Sequence, residues 1–498
     1  MLLAGLGAYY ATNSLSAFSV ANVIGGPLLL IAAGVASSRK ISGFSGAQSR
    51  RIVIRQGLIC AAVLAAAVFA NVLAARWTAT IDLSTDRQYT LSEQTGLLCS
   101  EIEELEAAWR PELLFFIDAF RANDVKLLID QYTHECGVPT RALVEREAPT
   151  YARAILDSYE TTVLACRNER CEAVGYPSES NITSALLRLV RTSHPVLYFI
   201  VGHGEANLAS QAPRGFALLA GALRDEGIDV RAYVGAAREA PPADADLLVL
   251  AAPERDSLDA EIAGLDRYLE SGGRLLVMLD PEVSSNVEEL LERWGFGLPA
   301  GVIADRHVSP LIPDSTALSL LVNNYSNWHP ITRKLSARNM LLLPSARSVR
   351  PVRKPQPQDR LEALVYSSRT AWLETDVATA LGNGQIRQDP DEVSGEIPLA
   401  AVGRYPRSGA EARIVVIGDR DFASNRLLGA LYNRDLLLNS VLWLAQDESH
   451  IAIRARGPTP NQDPFTIQQT LGYFYFMAFA LPEALLLLGI GAWYRQSR

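Results

Sequence analysis

Apolar residues are arranged along this chain in two unlike ways: long uncharged runs near both ends, and short bursts separated by amphipathic stretches in between. The sharpest burst is 196–201, mostly β-branched or aromatic, and it stops abruptly at Gly202, His203, Gly204 and Glu205. A run of this kind closed by glycine predicts a strand buried on both faces of a parallel sheet. The pattern returns at 247–251, which ends in Ala252, Pro253 and Glu254, and at 274–279, which ends in Asp280 and Pro281. It returns again at 413–417, which runs into Gly418, Asp419, Arg420 and Asp421. Between these strands, 259–270 reads as an amphipathic helix stopped by Gly272 and Gly273, and 433–444 as part of a further long helix. Alternation of strand and helix predicts a Rossmann-like, doubly wound α/β domain over 193–456. From Gly301 to Gly409 the rhythm weakens, and Pro351, Pro355 and Pro357 mark an exposed loop, so an insertion or an irregular sheet edge is expected there.

Upstream, Ser92 is placed to cap a helix running to Ala108. Strand 112–117, helix 124–136, strand 140–146, helix 151–158 and a hairpin of 161–165 with 172–176 follow. The order β-α-β-α-β-β outlines a thioredoxin-like α/β subdomain over 77–192. The dithiol that redox enzymes carry after the first strand is missing, so a structural or interaction module is expected. A helix at 179–191 leads into the larger domain.

The long apolar runs change the class of protein. No charged residue precedes Arg39, and 18–36 is long enough to cross the roughly 30 Å core of a bilayer. Arg39, Lys40, Arg50, Arg51 and Arg55 crowd the next loop, 57–75 forms a second span, and 471–494 a third, followed by Arg495 and Arg498. Basic residues at the hairpin turn and at the carboxyl terminus place both in the cytoplasm, and the body between them outside. The expected layout is a transmembrane hairpin over 1–76, two outer α/β units, and a linker with a last transmembrane helix over 457–498. The apolar stretch 1–11 is too short to cross alone and reads as an interfacial lead-in or part of a longer first span. A signal peptide fits poorly, since no basic region precedes the first run and a second span follows. Glu483 falls near the middle of the third span, where a carboxylate is expected to face a partner protein rather than lipid, unless Pro482 marks a break at the interface.

Composition adds less. A net charge of −9 argues against a nucleic-acid surface. Cys166 and Cys171 flank a hairpin loop and are expected to form a cross-strand disulfide, with Cys99 and Cys136, near the ends of two predicted helices, as a second candidate pair. Zinc is not expected, because no C-x-x-C pair is present and the spacing is irregular. His203, Glu205, Asp280, Asp419 and Asp421 stand where strands end, the edge at which α/β sheets bind ligands, and are the candidate binding residues. Carboxylates after strands are also commonly helix caps and loop anchors, which is the structural reading of the same residues. There is no phosphate-binding G-x-x-x-x-G-K-[ST] loop and no G-x-S-x-G elbow, so no catalytic residues, cofactor or metal are assigned.

One resemblance is specific. The segment Gly418, Asp419, Arg420, Asp421, Phe422, Ala423, Ser424, Asn425, with Leu438, Asn439, Ser440, Val441, Trp443, Leu444 and Ala445 downstream and 451–454 after them, resembles the auxiliary subunit of gliding-motility-type ABC transporters, the GldG-like family. The stretches 82–92, 202–205, 272–281 and 329–332, and Glu179 with Ala185 and Leu186, agree in order and spacing, so the resemblance spans 82–498. It implies a non-catalytic, multi-pass protein of the bacterial inner membrane with a periplasmic body and a cytoplasmic carboxyl terminus. Its implied partners are a separate ABC permease and ATP-binding subunit, with two copies per complex coupling them to envelope glycan or protein cargo. Arg420 departs from the pattern, which has a small residue between the two aspartates. The alternatives are a glycan- or peptide-binding receptor using His203, Glu205 and Asp280, and a metal-dependent hydrolase using Asp280, Asp419 and Asp421.

Overall fold

The computed structural model describes residues 90–454 apart from 107–108, 117–121, 144–149, 151–152, 154–162, 169, 175, 192–193, 206, 236–239, 282–284, 309–314, 384–385 and 408. The chain divides into Met1–Arg87 and Gln88–Arg498, and every described residue belongs to the second unit. The three expected spans, the 1–11 lead-in, Glu483 and nearly all of the expected helix 151–158 lie outside the described residues. Among the described residues no helix is long and apolar enough to cross a membrane.

The first sheet is built from α1 (Glu93–Glu104), β1 (Glu112–Phe116), α2 (Ala122–His134), β2 (Thr140–Leu143), β3 (Val163–Arg167), β4 (Arg170–Ala173) and α3 (Glu179–Val190). Its strand order is β2-β1-β3-β4, with β1 parallel to β2 and antiparallel to β3. Ser92 caps α1 through its hydroxyl, which accepts from the Thr95 amide, and its own amide donates to Glu179 at the start of α3. The helix stops at Glu104, short of the expected Ala108. Glu103 and Glu104 oppose the helix dipole at this end, and the Arg110 guanidinium reaches back to the Glu103 and Leu105 carbonyls, closing the helix early. Cys166 lies directly opposite Cys171 in the β3–β4 register and is bonded to it, and a second disulfide joins Cys99 to Cys136. Leu98, Ile102, Leu113, Phe115, Tyr132 and Leu186 form the main part of a separate core on one face of this sheet.

The larger part continues through β5 (Val196–Val201), α4 (Ala217–Asp225), β6 (Asp229–Val234), β7 (Leu247–Ala251), α5 (Asp259–Glu270), β8 (Arg274–Met278), α6 (Val287–Arg293), β9 (Phe296–Gly297) and β10 (Val302–Asp305). Next come β11 (Ser319–Val322), β12 (Asn324–Tyr325), β13 (Leu341–Pro344), β14 (Arg350–Pro351), β15 (Arg360–Tyr366), β16 (Ala371–Glu374) and α7 (Val377–Asn383). Last are β17 (Pro398–Arg407), β18 (Ala410–Ile417), a 3-10 turn at Asp421–Ala423, α8 (Asn433–Leu444) and a 3-10 turn at Glu448–His450. Eight strands form one sheet in the order β12-β15-β17-β18-β8-β7-β5-β6. The five from β18 to β6 are parallel.

Every residue of β7 is buried, as a central strand covered on both faces requires. Phe216, Leu219, Leu223, Leu436 and Trp443 of the α4 and α8 region pack on one face, and Ile262, Leu265, Leu290 and Leu291 of α5 and α6 on the other. Each fully buried large aliphatic side chain contributes about 1.5–3 kcal/mol, so these two layers set the fold. The irregular 301–409 stretch supplies β15 and the β10–β16 and β11–β13 pairs, and β15 with β17 continues the main sheet as an antiparallel edge.

Candidate functional site

From β5 the chain passes to β6 on one side and returns to β7 on the other, so the topological switch point lies between the carboxyl ends of β5 and β7. Those ends carry His203 with Glu205, and Glu254. Asp280 follows β8, and Asp419 to Asp421 follow β18 along the same edge.

The switch point is closed by the chain itself. Gly204 turns with φ +94°, and a Cβ there would lie 2.8 Å from the Glu254 Cβ, so only glycine allows the two loops to approach. The His203 carbonyl accepts from the Glu254 and Arg255 amides at 2.8 and 3.1 Å. The His203 amide donates to Glu205 Oε2 at 2.7 Å, and the imidazole is held between two carboxylates, with Nδ1 3.3 Å from Glu205 Oε1 and Nε2 3.1 Å from Glu261 Oε2 on α5. Glu261 Oε2 also accepts from the Leu258 amide at 2.6 Å, which fixes the start of α5. The Glu205 side chain is 1% exposed, so solvent does not reach it.

A second cluster is organised by Arg420. Its amide donates to Asp280 Oδ1 at 3.0 Å, and its Nε lies 3.1 Å from Asp280 Oδ2 and 3.9 Å from Asp421 Oδ1. Asp280, Asp421 and, at 4.0 Å, Glu254 therefore share one guanidinium, in the place a cation would take among them. Asp419 is buried beneath. Its Oδ1 accepts from the Phe422 amide at 3.1 Å and caps the 3-10 turn, while Oδ2 has no hydrogen-bond partner among the described residues. Burial, then the negative charge of Asp280, pushes the Asp419 carboxyl well above the usual carboxylate range. Gly418 is required by close approach, since a Cβ there would lie 2.1 Å from the Arg347 carbonyl oxygen. Arg347 in turn pairs with Glu288 at 2.7 Å and donates to the Leu298 carbonyl.

The five residues predicted from the sequence thus fall into two groups, His203 with Glu205 and Asp280 with Asp419 and Asp421. Arg420, Glu254, Glu261 and Arg347 complete them. The position of Glu254 at a strand end and of Arg420 between two aspartates was a signal for both. Arg347 arrives from the irregular stretch and carries none. Among the described residues no group of histidine, cysteine, aspartate and glutamate side chains is assembled to hold a metal ion. The arrangement ties the loops at these strand ends to one another and to the start of α5.

Residues 194–440 match a family model described as an ABC-type uncharacterized transport system. Among solved structures, the chain is similar to the mmIFT52 N-terminal domain at 18% identity and a TM-score of 0.39, over 50% of this chain and 97% of that one. It is similar to a ThuA-like protein from Bacteroides uniformis at 16% identity and a TM-score of 0.30, over 51% and 93%. A ThuA-like protein from Parabacteroides merdae is similar at 14% identity and a TM-score of 0.32, over 55% and 95%. No curated protein matches the chain.

Proposed function

We propose, from the match of residues 194–440 to a family model described as an ABC-type uncharacterized transport system, that the protein is a non-catalytic auxiliary subunit of such a system, of the gliding-motility type. In this reading its α/β body, with a thioredoxin-like first unit as an interaction module, stands on the periplasmic face of the bacterial inner membrane. The spans at 18–36, 57–75 and 471–494 hold it beside a separate permease and ATP-binding subunit, which it couples to envelope cargo.

The observation that supports the non-catalytic part is the sealed switch point. Where a parallel α/β sheet ordinarily opens to a ligand, the His203 amide donates to Glu205, its Nε2 lies 3.1 Å from Glu261, and its carbonyl accepts from the Glu254 loop. A receptor working through His203 and Glu205 would have to break these contacts and expose a carboxylate that is now buried. The membrane topology is supported by the basic residues that follow the first and third runs.

Affinity purification of the full chain from detergent-solubilised native membranes tests the reading. The permease and the ATP-binding subunit are expected to co-purify with it. Glu483→Leu removes a carboxylate from the third run, and it should reduce recovery of the permease more than Glu483→Gln does. Purification of the wild-type chain without either transporter subunit would refute the assignment.

A further inference from the structure

A cleft of about 220 Å3 lies at the other end of the main sheet, lined by Trp328, His329, Arg360, Glu362, Val402 and Arg404. Because β15 runs antiparallel to β17, and β17 to β18, the start of β15 and the end of β17 lie at the amino edge of the parallel strands, away from the Arg420 cluster. The register sets Arg360 opposite Arg404 and Arg404 opposite Arg413, so three arginines stand in a row on one face.

Three features of this cleft point outward. The first is an open edge. β12 pairs with β15 only at Asn324–Tyr366 and Tyr325–Val365, and the Ser326 amide makes one more bond, to the Leu364 carbonyl. The chain then turns away at His329, whose carbonyl accepts from the Thr332 and Arg333 amides. From Arg360 to Ala363 the outer edge of β15 has no partner strand among the described residues.

The second is an unmatched set of donors. Arg404 and Arg413 both pair with Glu411, whereas Arg360 makes no ion pair among the described residues. His329 is 6% exposed, and its ring packs on Trp443 with centroids 4.9 Å apart. Its Nδ1 accepts from the Ile331 amide at 3.3 Å, so the hydrogen of the neutral ring is on Nε2, which has no hydrogen-bond partner among the described residues and stands 3.8 Å from Glu362 Oε1. Burial, then the charges of Arg404, Arg413 and Arg333, holds the His329 pKa down to about 3, so this ring stays an uncharged donor. The third feature is Trp328, 89% exposed on the lip of the cleft.

We propose that the cleft docks an extended, acidic segment of a partner protein, which adds a strand to the free edge of β15 and places a carboxylate between Arg360 and the His329 Nε2–H beside Trp328. An unpaired edge is satisfied by backbone amides and carbonyls, which a polypeptide supplies along its whole length and a sugar does not. Glu362, whose carboxylate is 3.8 Å from the His329 Nε2, opposes a second negative charge there, and it is the unpaired Arg360 guanidinium that selects the incoming carboxylate. Exposed tryptophan and arginine are the side chains that most often carry binding energy at protein interfaces.

The test uses the full chain in detergent and fluorescence anisotropy of a short amidated peptide alternating threonine and glutamate. That peptide is expected to bind saturably, and its glutamine counterpart about tenfold more weakly. Methylating alternate backbone nitrogens of the peptide should abolish binding. Arg360→Glu and Trp328→Ala should each weaken it by about tenfold or more, with the melting temperature unchanged, because both side chains are exposed. His329→Phe, which keeps a ring against Trp443, should weaken it by a smaller factor. Absence of saturable binding, equal binding of the methylated peptide or of a galacturonate oligosaccharide, or wild-type affinity in Arg360→Glu would overturn the proposal.

Discussion

Asp419 shows how a single side chain can be kept for its shape at a cost in charge. Its Oδ1 accepts from the Phe422 amide, and burial beside Asp280 raises its pKa above the unfolded value of about 3.9. The folded chain therefore holds this proton to higher pH than the unfolded chain. The stability so contributed is complete below about pH 4 and is lost as pH rises through the folded pKa. Asp419→Asn keeps an acceptor for Phe422 and carries no charge. It is expected to melt above the wild type at pH 8, with the difference shrinking toward pH 4, in thermal scans across that range. A variant that melts lower at every pH would show that the ionised carboxylate is needed. The sequence located Asp419, Asp280 and His203 because each directly follows an apolar burst. It does not show that Arg420 turns back onto Asp280 or that Glu261 reaches His203 from α5, since both contacts are made across the strand ends.

The helices and strands differ in how openly the sequence declares them. β5, β7, β8 and β18 were readable because a strand covered on both faces must be apolar at nearly every position. The short strands between Gly301 and Gly409 were not. β10 pairs with β16, and β11 with β13, across long loops, so neither has a neighbour in sequence to reveal it. The sequence pattern overruns the end of α1 because that end is set by Arg110, a residue outside the helix. The two disulfides make a graded test at this scale. Cys166 and Cys171 are separated by 5 residues, and loop-closure entropy assigns their bond about 2 kcal/mol. Cys99 and Cys136 are separated by 37, which raises the figure to about 4 kcal/mol and adds a tie between α1 and the segment after α2. Chemical denaturation should accordingly find the Cys99→Ser, Cys136→Ser double variant weakened more than the Cys166→Ser, Cys171→Ser one. The reverse order would mean that the short bridge resists local opening of the hairpin in a way chain entropy does not capture.

At the scale of the whole described body, two apolar cores meet across a seam made of charge. Lys334 pairs with Glu93, His450 bridges Glu101 and Asp447, and Arg191 pairs with Asp447. At the centre, the Arg454 Nε lies 2.5 Å from Glu226 Oε1 and its Nη1 3.4 Å from Asp435 Oδ1, while the Gln94 amide group donates to both Glu226 oxygens. Burial pushes the Glu226 carboxyl up, but Arg454 and Arg191 outweigh it and hold the group below its ordinary value. Removing one member of such a pair strands the other, a loss of about 3–5 kcal/mol. Arg454→Met is expected to lower the calorimetric melting temperature and to separate the unfolding of the 93–190 unit from that of the main sheet. A single transition at the wild-type temperature would show that the seam contributes nothing to cooperativity.

Arg454 also precedes, in the sequence, the stretch that leads to the third apolar run at 471–494. In mechanical terms it is a cleat. A load carried along the chain at this point falls on a buried guanidinium, and from there it is divided among three anchors: Glu226 after α4, Asp435 in the first turn of α8, and, through Gln94, the first turn of α1. A tug on the chain at Arg454 would thereby be shared between the two α/β units, with Glu226 as the contact common to both.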